Sequence, residues 1–272
     1  MSILDKIIEY KKSEVAENKS LYPIKLLEQS IYFQTPTVSL KKYLLRDDRF
    51  GIIAEIKRKS PSKGVINSNV SVERISIGYM QAGASALSVL TDKEFFGGSP
   101  EDLTTARKFN FCPVLRKDFI IDEYQIVEAK SIGADAILLI AAALEPMKIK
   151  KLAGFAKSLG LEVLMEVHTR EELLENLHDE VDVIGVNNRN LATFEVSVET
   201  SLHIAGGIPE KYTMISESGI EDPETVIRLR KHGFRGFLIG EYFMRHSRPE
   251  KKCAEFIAKL KRLAKERERV KP

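Results

Sequence analysis

The chain has 272 residues, of which 43% are hydrophobic and 30% are charged, and its formal net charge is +3. This length can bury a full core, and one domain is expected. No apolar run approaches the roughly 18 residues of a membrane helix, and Asp5, Lys6 and Glu9 interrupt the apolar N-terminus. We therefore expect a cytoplasmic protein with no membrane partner and no export signal. Cys112 and Cys253 lie in no metal-binding or disulfide pattern.

Residues 1 to about 48 differ in pattern from the rest of the chain. Apolar residues recur there at helical spacing, followed by irregular stretches around Tyr22-Pro23 and Thr35-Pro36. We predict an N-terminal helical extension over residues 1–48 and a main body over residues 49–272 of the same domain.

From residue 52 onward, short apolar runs alternate with amphipathic helical patterns, such as 146–159 and 223–232. Eight runs have the character of buried strands: Ile52–Ile56, Ala86–Leu90, Val114–Leu115, Ala136–Ile140, Glu162–Val167, Val183–Val186, Thr213–Ser216 and Gly236–Ile239. Strands that alternate with helices imply a parallel sheet. No G-x-G-x-x-G follows the first strand, so eight units favour a (β/α)8 TIM barrel of the α/β class over an open doubly wound sheet.

The C-terminal tail carries the excess positive charge. Residues 259–272 hold seven Lys/Arg and two Glu, a local +5, which leaves about −2 for the rest of the chain (3 − 5). A solvated helix end explains this tail better than a nucleic-acid-binding arm does. We therefore expect no nucleic-acid partner.

Polar and charged residues stand at the ends of four predicted strands. The active site of a barrel lies at the C-terminal ends of its strands, and strand side chains alternate between the two faces. This alternation directs the following residues of the first, third, fifth and sixth strands inward: Glu55, Lys57, Lys117, Phe119, Glu166, Asn187 and Arg189. Any one of them could be a solvated strand end or a simple ion pair. Together they would crowd at one mouth, which favours a catalytic site.

Two glycine turns after the last two strands form a candidate phosphate site. The segment 216–220 (SESGI) follows the seventh strand, and 239–241 (IGE) follows the eighth. Barrels often bind phosphate there on backbone N–H groups, although both glycines could simply make tight turns. Glu241 would oppose a phosphate unless its side chain points away, so we expect the backbone to do the binding.

Five segments resemble indole-3-glycerol-phosphate synthase, and together they span most of the chain. The motifs E-x-K-x-x-S-P-S and K-D-F are the most specific of them. The extra N-terminal helix of that family, beside the barrel mouth, is matched by residues 1–48. The resembling segments are 53–62 (IAEIKRKSPS), 95–99 (FFGGS), 115–119 (LRKDF), 185–191 (GVNNRNL) and 216–220 (SESGI).

The resemblance implies conversion of 1-(2-carboxyphenylamino)-1-deoxyribulose 5-phosphate to indole-3-glycerol phosphate, with loss of carbon dioxide and water and without a metal or organic cofactor. Lys117 would be the general acid at the carbonyl oxygen. Lys57 would hold the departing carboxylate and protonate the leaving hydroxyl, and these two lysine roles could be exchanged. Glu166 would be the base that restores aromaticity, and Glu55 would orient Lys57.

The resemblance also implies a set of binding residues. Ser60, Asn187 and Arg189 would position the substrate, together with Glu217. Phe96 and Phe119 would pack on its ring. The phosphate would be held by Ser218, Gly219, Gly240 and Glu241.

Two alternatives stand beside this interpretation. Phosphoribosylanthranilate isomerase is another phosphate-binding barrel, but it is expected to use a cysteine and an aspartate, and here Cys112 precedes the third strand. A non-catalytic scaffold barrel would have no reason to keep Glu55, Lys57, Lys117 and Glu166. The expected partner is a phosphorylated small molecule, and the chain is expected to act as a monomer or a weak homodimer.

Overall fold

Eight parallel strands close into a barrel in the computed structural model, which describes residues 2–269. Each strand pairs with its neighbour in the chain, and β8 returns to β1 with Ile53 opposite Leu238. The predicted barrel is therefore confirmed. The strands, numbered in chain order around the barrel, are β1 Ile52–Ile56, β2 Ala86–Leu90, β3 Val114–Lys117, β4 Ala136–Ile140, β5 Glu162–Val167, β6 Val183–Asn187, β7 Thr213–Glu217 and β8 Gly236–Ile239.

Three strands run further than the sequence predicted, and each ends on a candidate site residue. β3 extends to Lys117, β6 to Asn187 and β7 to Glu217. Because these last residues are polar, a hydrophobic pattern does not include them in the strand. Their backbones nevertheless pair with the neighbouring strands, with Asn187 opposite Glu217. The ladder therefore holds these three side chains at fixed positions around the mouth.

Helices cover the outside of the barrel. The predicted helices over 146–159 and 223–232 end slightly earlier, at Ser158 and Arg230. A small hairpin of 59–60 with 64–65 follows β1, and a 3-10 turn over Ala141–Ala143 follows β4. The α-helices are α1 Ile3–Leu21, α2 Ile24–Leu27, α3 Leu40–Leu44, α4 Val72–Ala82, α5 Pro100–Phe109, α6 Glu123–Ser131, α7 Pro146–Ser158, α8 Arg170–Glu175, α9 Glu199–Ala205, α10 Pro223–Arg230, α11 Glu241–Met244 and α12 Pro249–Arg269.

The tail that the sequence assigned to a helix end belongs to α12 as far as Arg269, and residues 270–272 lie outside the described part of the chain. Within residues 2–269, no helix combines the length and the apolarity that a membrane crossing requires.

The strand residues divide into two apolar layers, as the alternation predicted. Ile52, Ala54 and Ile56 of β1 pack outward against the helices. Ile53 packs inward with the corresponding residues of the other strands. Leu40 and Leu44 of α3 belong to this inner cluster and fill the interior of the barrel. Because apolar side chains fill the interior, the inward charged residues can lie only beyond them, at the strand ends.

Helix α1 lies beside the mouth, where the resemblance placed the extra helix. Its Lys11 side chain is fully buried, with Nζ 3.0 Å from Asp92 Oδ2 and 2.9 Å from Asp118 Oδ1. Ile7 is also buried and lines the cavity at the mouth. The N-terminal extension is thus part of the wall of the site.

Candidate active site

One cavity of about 350 Å³ opens at the C-terminal ends of the strands. The apolar residues Ile3, Leu4 and Ile7 of α1 form part of its wall. All the site residues predicted from the sequence line it: Glu55, Lys57, Ser60, Phe96, Lys117, Phe119, Glu166, Asn187, Arg189, Glu217, Ser218, Gly219, Gly240 and Glu241. The strand ends and the loops that follow them therefore bring these residues to one place, while their chemical roles remain proposals.

Lys117 occupies the centre of the charged cluster. Its Nζ donates hydrogen bonds to Glu166 Oε2 at 2.7 Å and to Glu217 Oε2 at 2.6 Å, and its side chain is only 12% exposed. Burial alone would lower the pKa of the ammonium group, but Glu166, Glu217 and Glu55 outweigh this effect and raise the pKa above its usual value. The lysine is therefore held as a cation.

The two carboxylates that share Lys117 differ in their surroundings. Burial raises the pKa of both. For Glu166, the charges of Lys117 and His168 overcome burial, and its pKa falls below the usual value. For Glu217, burial and the charge of Glu166 prevail over Lys117, and its pKa rises. Glu166 is thus the carboxylate that stays ionised, and Glu217 is the one that more readily holds a proton.

A second acid–base pair lies at the end of β1. Lys57 Nζ is 2.8 Å from Glu55 Oε1, and the Glu55 side chain is buried while Lys57 is slightly more accessible. Ser88 of β2 donates a weak hydrogen bond of 3.4 Å to the other carboxylate oxygen, Glu55 Oε2. Glu55 is thereby fixed from two sides, and it fixes Lys57 in turn.

Two aromatic rings provide an apolar wall. The centroids of Phe96 and Phe119 are 5.9 Å apart, and their planes are inclined by 36°. Phe119 also packs against the apolar interior of the barrel. A flat aromatic ring is the kind of group that such a wall can contact.

The glycine turns after β7 and β8 form the opposite side of the cavity. Ser218 and Gly219 both have left-handed backbones, with φ of 70° and 73°. Asn188 Nδ2 donates to the Ser218 carbonyl oxygen at 3.0 Å, which fixes the turn. Glu241 Oε2 accepts a hydrogen bond from Arg189 Nη2 at 3.2 Å. The Glu241 carboxylate is thus neutralised by an arginine, which removes the conflict that the sequence raised for a phosphate at this turn.

His168 and Lys11 are neighbours of the site that the sequence analysis missed. His168 follows β5 two residues after Glu166, so the same alternation would have placed it on the inward side. Its Nε2 lies 3.5 Å from Glu166 Oε1. Lys11 gave no such signal, because it pairs with Asp92 and Asp118 across more than eighty residues of sequence.

Comparisons with known proteins agree with this geometry. The family model for indole-3-glycerol phosphate synthase matches residues 4–256. A relative of that name from Bacteroides thetaiotaomicron is 51% identical over 255 residues, which cover 94% of this chain and 97% of the relative. One from Dechloromonas aromatica is 43% identical over 259 residues, covering 94% and 99% of the two chains.

Solved structures show the fold alone at this level of identity. A mutant tryptophan synthase alpha-subunit from Pyrococcus furiosus superposes with a TM-score of 0.60 at 14% identity, covering 78% of this chain and 98% of that one. A closed parallel barrel with an acid–base cluster at the C-terminal mouth defines a (β/α)8-barrel enzyme. The chain belongs to the indole-3-glycerol phosphate synthase family, whose activity is that of a carboxy-lyase of tryptophan biosynthesis.

Proposed function

We propose that the chain converts 1-(2-carboxyphenylamino)-1-deoxyribulose 5-phosphate to indole-3-glycerol phosphate in this cavity, with Lys117 as the general acid. The observation that carries the proposal is the position of Lys117 Nζ, 2.7 Å from Glu166 and 2.6 Å from Glu217. A cation held between two carboxylates keeps its proton until a more basic oxygen develops next to it. The carbonyl oxygen becomes such a group as the ring carbon attacks.

The remaining steps are assigned to the groups around Lys117. Lys57 holds the carboxylate that leaves as carbon dioxide, and it protonates the departing hydroxyl. Glu166, which Lys117 and His168 keep ionised in spite of its burial, removes the ring proton that completes the indole. Its short contact with Lys117 lets this proton return to the acid. Glu55 supports Lys57 through their 2.8 Å ion pair.

Binding is assigned to the walls of the cavity. Phe96 and Phe119 would contact the aromatic ring. Ser60, Asn187, Arg189 and Glu217 would position the sugar chain and the carboxylate, and Glu217 would also hold Lys117. The phosphate would lie against the backbone N–H groups of Ser218, Gly219, Gly240 and Glu241.

We further propose that residues 1–272 are one domain, with residues 1–48 as its extension, and that it works as a monomer or a weak homodimer. The buried contacts of Lys11 with Asp92 and Asp118 join the extension to the barrel and support the single domain. Sedimentation equilibrium across a range of concentrations tests the oligomeric state, and a stable higher oligomer would contradict it.

The function is tested by incubating the purified chain with the ribulose substrate and following the fluorescence of the indole product. Glu166→Gln and Lys57→Met are assayed beside the wild type, with the exposed Glu171→Gln as a control. We expect product from the wild type and the control, and a loss of about 10²-fold or more in each site variant. A folded wild type that forms no indole would overturn the proposal.

A further inference from the structure

His168 has contacts that connect the proposed base to a second carboxylate outside the cavity. Its Nε2 is 3.5 Å from Glu166 Oε1, and its Nδ1 is 3.4 Å from Glu172 Oε2 on α8. The imidazole side chain is 10% exposed. Neither His168 nor Glu172 belongs to the lining of the cavity. The histidine therefore does not border the space for the substrate, and its contact with the site is made through Glu166.

The geometry of Glu172 holds the ring in place. Glu172 Oε2 accepts a 2.7 Å hydrogen bond from the backbone N–H of His168, and Thr169 Oγ1 accepts one of 3.1 Å from the backbone N–H of Glu172. Both bonds form at the first turn of α8, so the carboxylate is tied to the same backbone that carries the histidine. Among the described residues, His168 Nε2 has no hydrogen-bond partner. This nitrogen faces Glu166 Oε1 at 3.5 Å, a distance typical of an ion pair.

We propose that His168, held by Glu172, is a positioning residue that sets the basicity of Glu166. Lys117 binds one oxygen of the Glu166 carboxylate, Oε2. The imidazole of His168 faces the other oxygen, Oε1. This inference deepens the proposed function, because it rests on Glu166 being the base. The charged groups that face the imidazole are Glu166 of β5, Glu172 of α8 and Glu217 of β7.

The charge state of His168 follows from these neighbours. Burial lowers the pKa of the imidazole, but Glu172, Glu166 and Glu217 together raise it above its usual value. The imidazole therefore stays a cation to a higher pH than an ordinary histidine, and while it is charged it keeps Glu166 ionised as the pH falls. When the ring is neutral, Glu166 becomes a stronger base but is protonated at a higher pH.

The first experiment measures the pH dependence of the single-turnover rate for the wild type, His168→Gln and Glu172→Gln. The substrate carries deuterium at the carbon that loses its proton, so that this step is visible in the rate. In His168→Gln, the acid limb of the profile should move up by about one to three pH units, because an opposite charge within a few ångströms is lost. In Glu172→Gln the histidine is still charged at acid pH, so the acid limb should stay where it is in the wild type.

These outcomes separate electrostatic control from simple packing. If both variants move the acid limb equally, or if neither moves it, the proposal is wrong. Glu171→Gln, on the exposed side of the same turn, should match the wild type throughout.

A second measurement does not require the histidine variants to fold. The coupling between two titrating groups is reciprocal. The pKa of His168, followed by NMR of its ring protons, should therefore fall in Glu166→Gln and again in Glu172→Gln. An unchanged histidine pKa in Glu166→Gln would overturn the inference. If Glu166→Gln instead keeps full activity while the histidine pKa falls, then the role of Glu166 as base is wrong but the coupling is established.

Discussion

Replacing Lys117 with methionine is the most informative single change, because it keeps most of the side-chain bulk and removes the cation. The general acid contributes a factor of roughly 10²–10⁴ to turnover, and stabilisation of the developing alkoxide adds to it. Glu166 also loses the ammonium group 2.7 Å from its Oε2. We therefore expect kcat to fall by at least about 10³-fold. Substrate affinity should fall much less, because the phosphate and carboxylate contacts remain.

The same variant should have a lower free energy of unfolding than the wild type, and this difference should grow as the pH rises. Removing one partner of a buried ion pair costs about 3–5 kcal/mol when the remaining charge stays buried. In the wild type, the pKa of Glu166 is lowered, so this residue stabilises the fold above its unfolded pKa and the contribution disappears as the pH falls. In the variant, the pKa of Glu166 should rise instead, and stability is then lost as the pH rises through it.

Steady-state kinetics, substrate titration and thermal unfolding at two pH values test both expectations. We expect the Tm to fall on the order of 10 °C at pH 8 and clearly less at pH 5. Lys151→Met is the matched control, since its ion pair with Glu123 is exposed and should contribute at most about 1 kcal/mol. If kcat of Lys117→Met stays within about tenfold of the wild type, Lys57 becomes the acid. A loss of Tm that is equal at both pH values would refute the electrostatic reasoning.

Three further variants test other parts of the molecule. Gly185→Ala should reduce kcat by about tenfold or more and retain the circular dichroism spectrum, because the added Cβ would lie 2.3 Å from Glu217 Oε1 and displace it. An unchanged kcat would show that Glu217 can move without consequence. Cys112→Ser combined with Cys253→Ser should leave kcat near the wild-type value, since burial raises the pKa of both thiols and neither lines the cavity; a large loss would reopen the isomerase alternative. Lys11→Met should lower the Tm and make α1 the first site of limited proteolysis, because Asp92 and Asp118 each lose a buried ion pair with this helix. An unchanged cleavage pattern would contradict this anchoring role.

The barrel and the direction of its side chains could be predicted because they depend on local patterns. Eight apolar runs mark the strands, and the strict alternation within a strand separates Ile53 from Ile52 and Ala54 without knowledge of the partner strands. The same alternation directs Glu55 and Lys57 inward. Hydrophobicity did not define the strand ends, because the last residues of β3, β6 and β7 are polar.

The pairings within the site could not be predicted in this way. The sequence assigned Glu217 only to the substrate. In the structure, Glu217 Oε2 lies 2.6 Å from Lys117 Nζ, so the two glutamates share this lysine. This contact joins β3 to β7 across the mouth and depends on barrel closure and register, which no local pattern encodes. The asymmetry between the two glutamates has the same origin, since His168 lies within ion-pair distance of Glu166 as a second cation.

Two glycines show how a barrel mouth accommodates buried carboxylates. A Cβ on Gly240 would stand 2.3 Å from Glu55 Oε1, and a Cβ on Gly185 would stand 2.3 Å from Glu217 Oε1. Neither glycine has a positive φ, so backbone freedom does not explain them. Gly185 lies on β6, beside the strand of Glu217, and Gly240 directly follows β8, beside the strand of Glu55. In each case the missing side chain leaves the space that the carboxylate fills. The sequence assigned Gly240 to a phosphate turn alone, but its lack of a side chain is also what lets Glu55 reach Lys57.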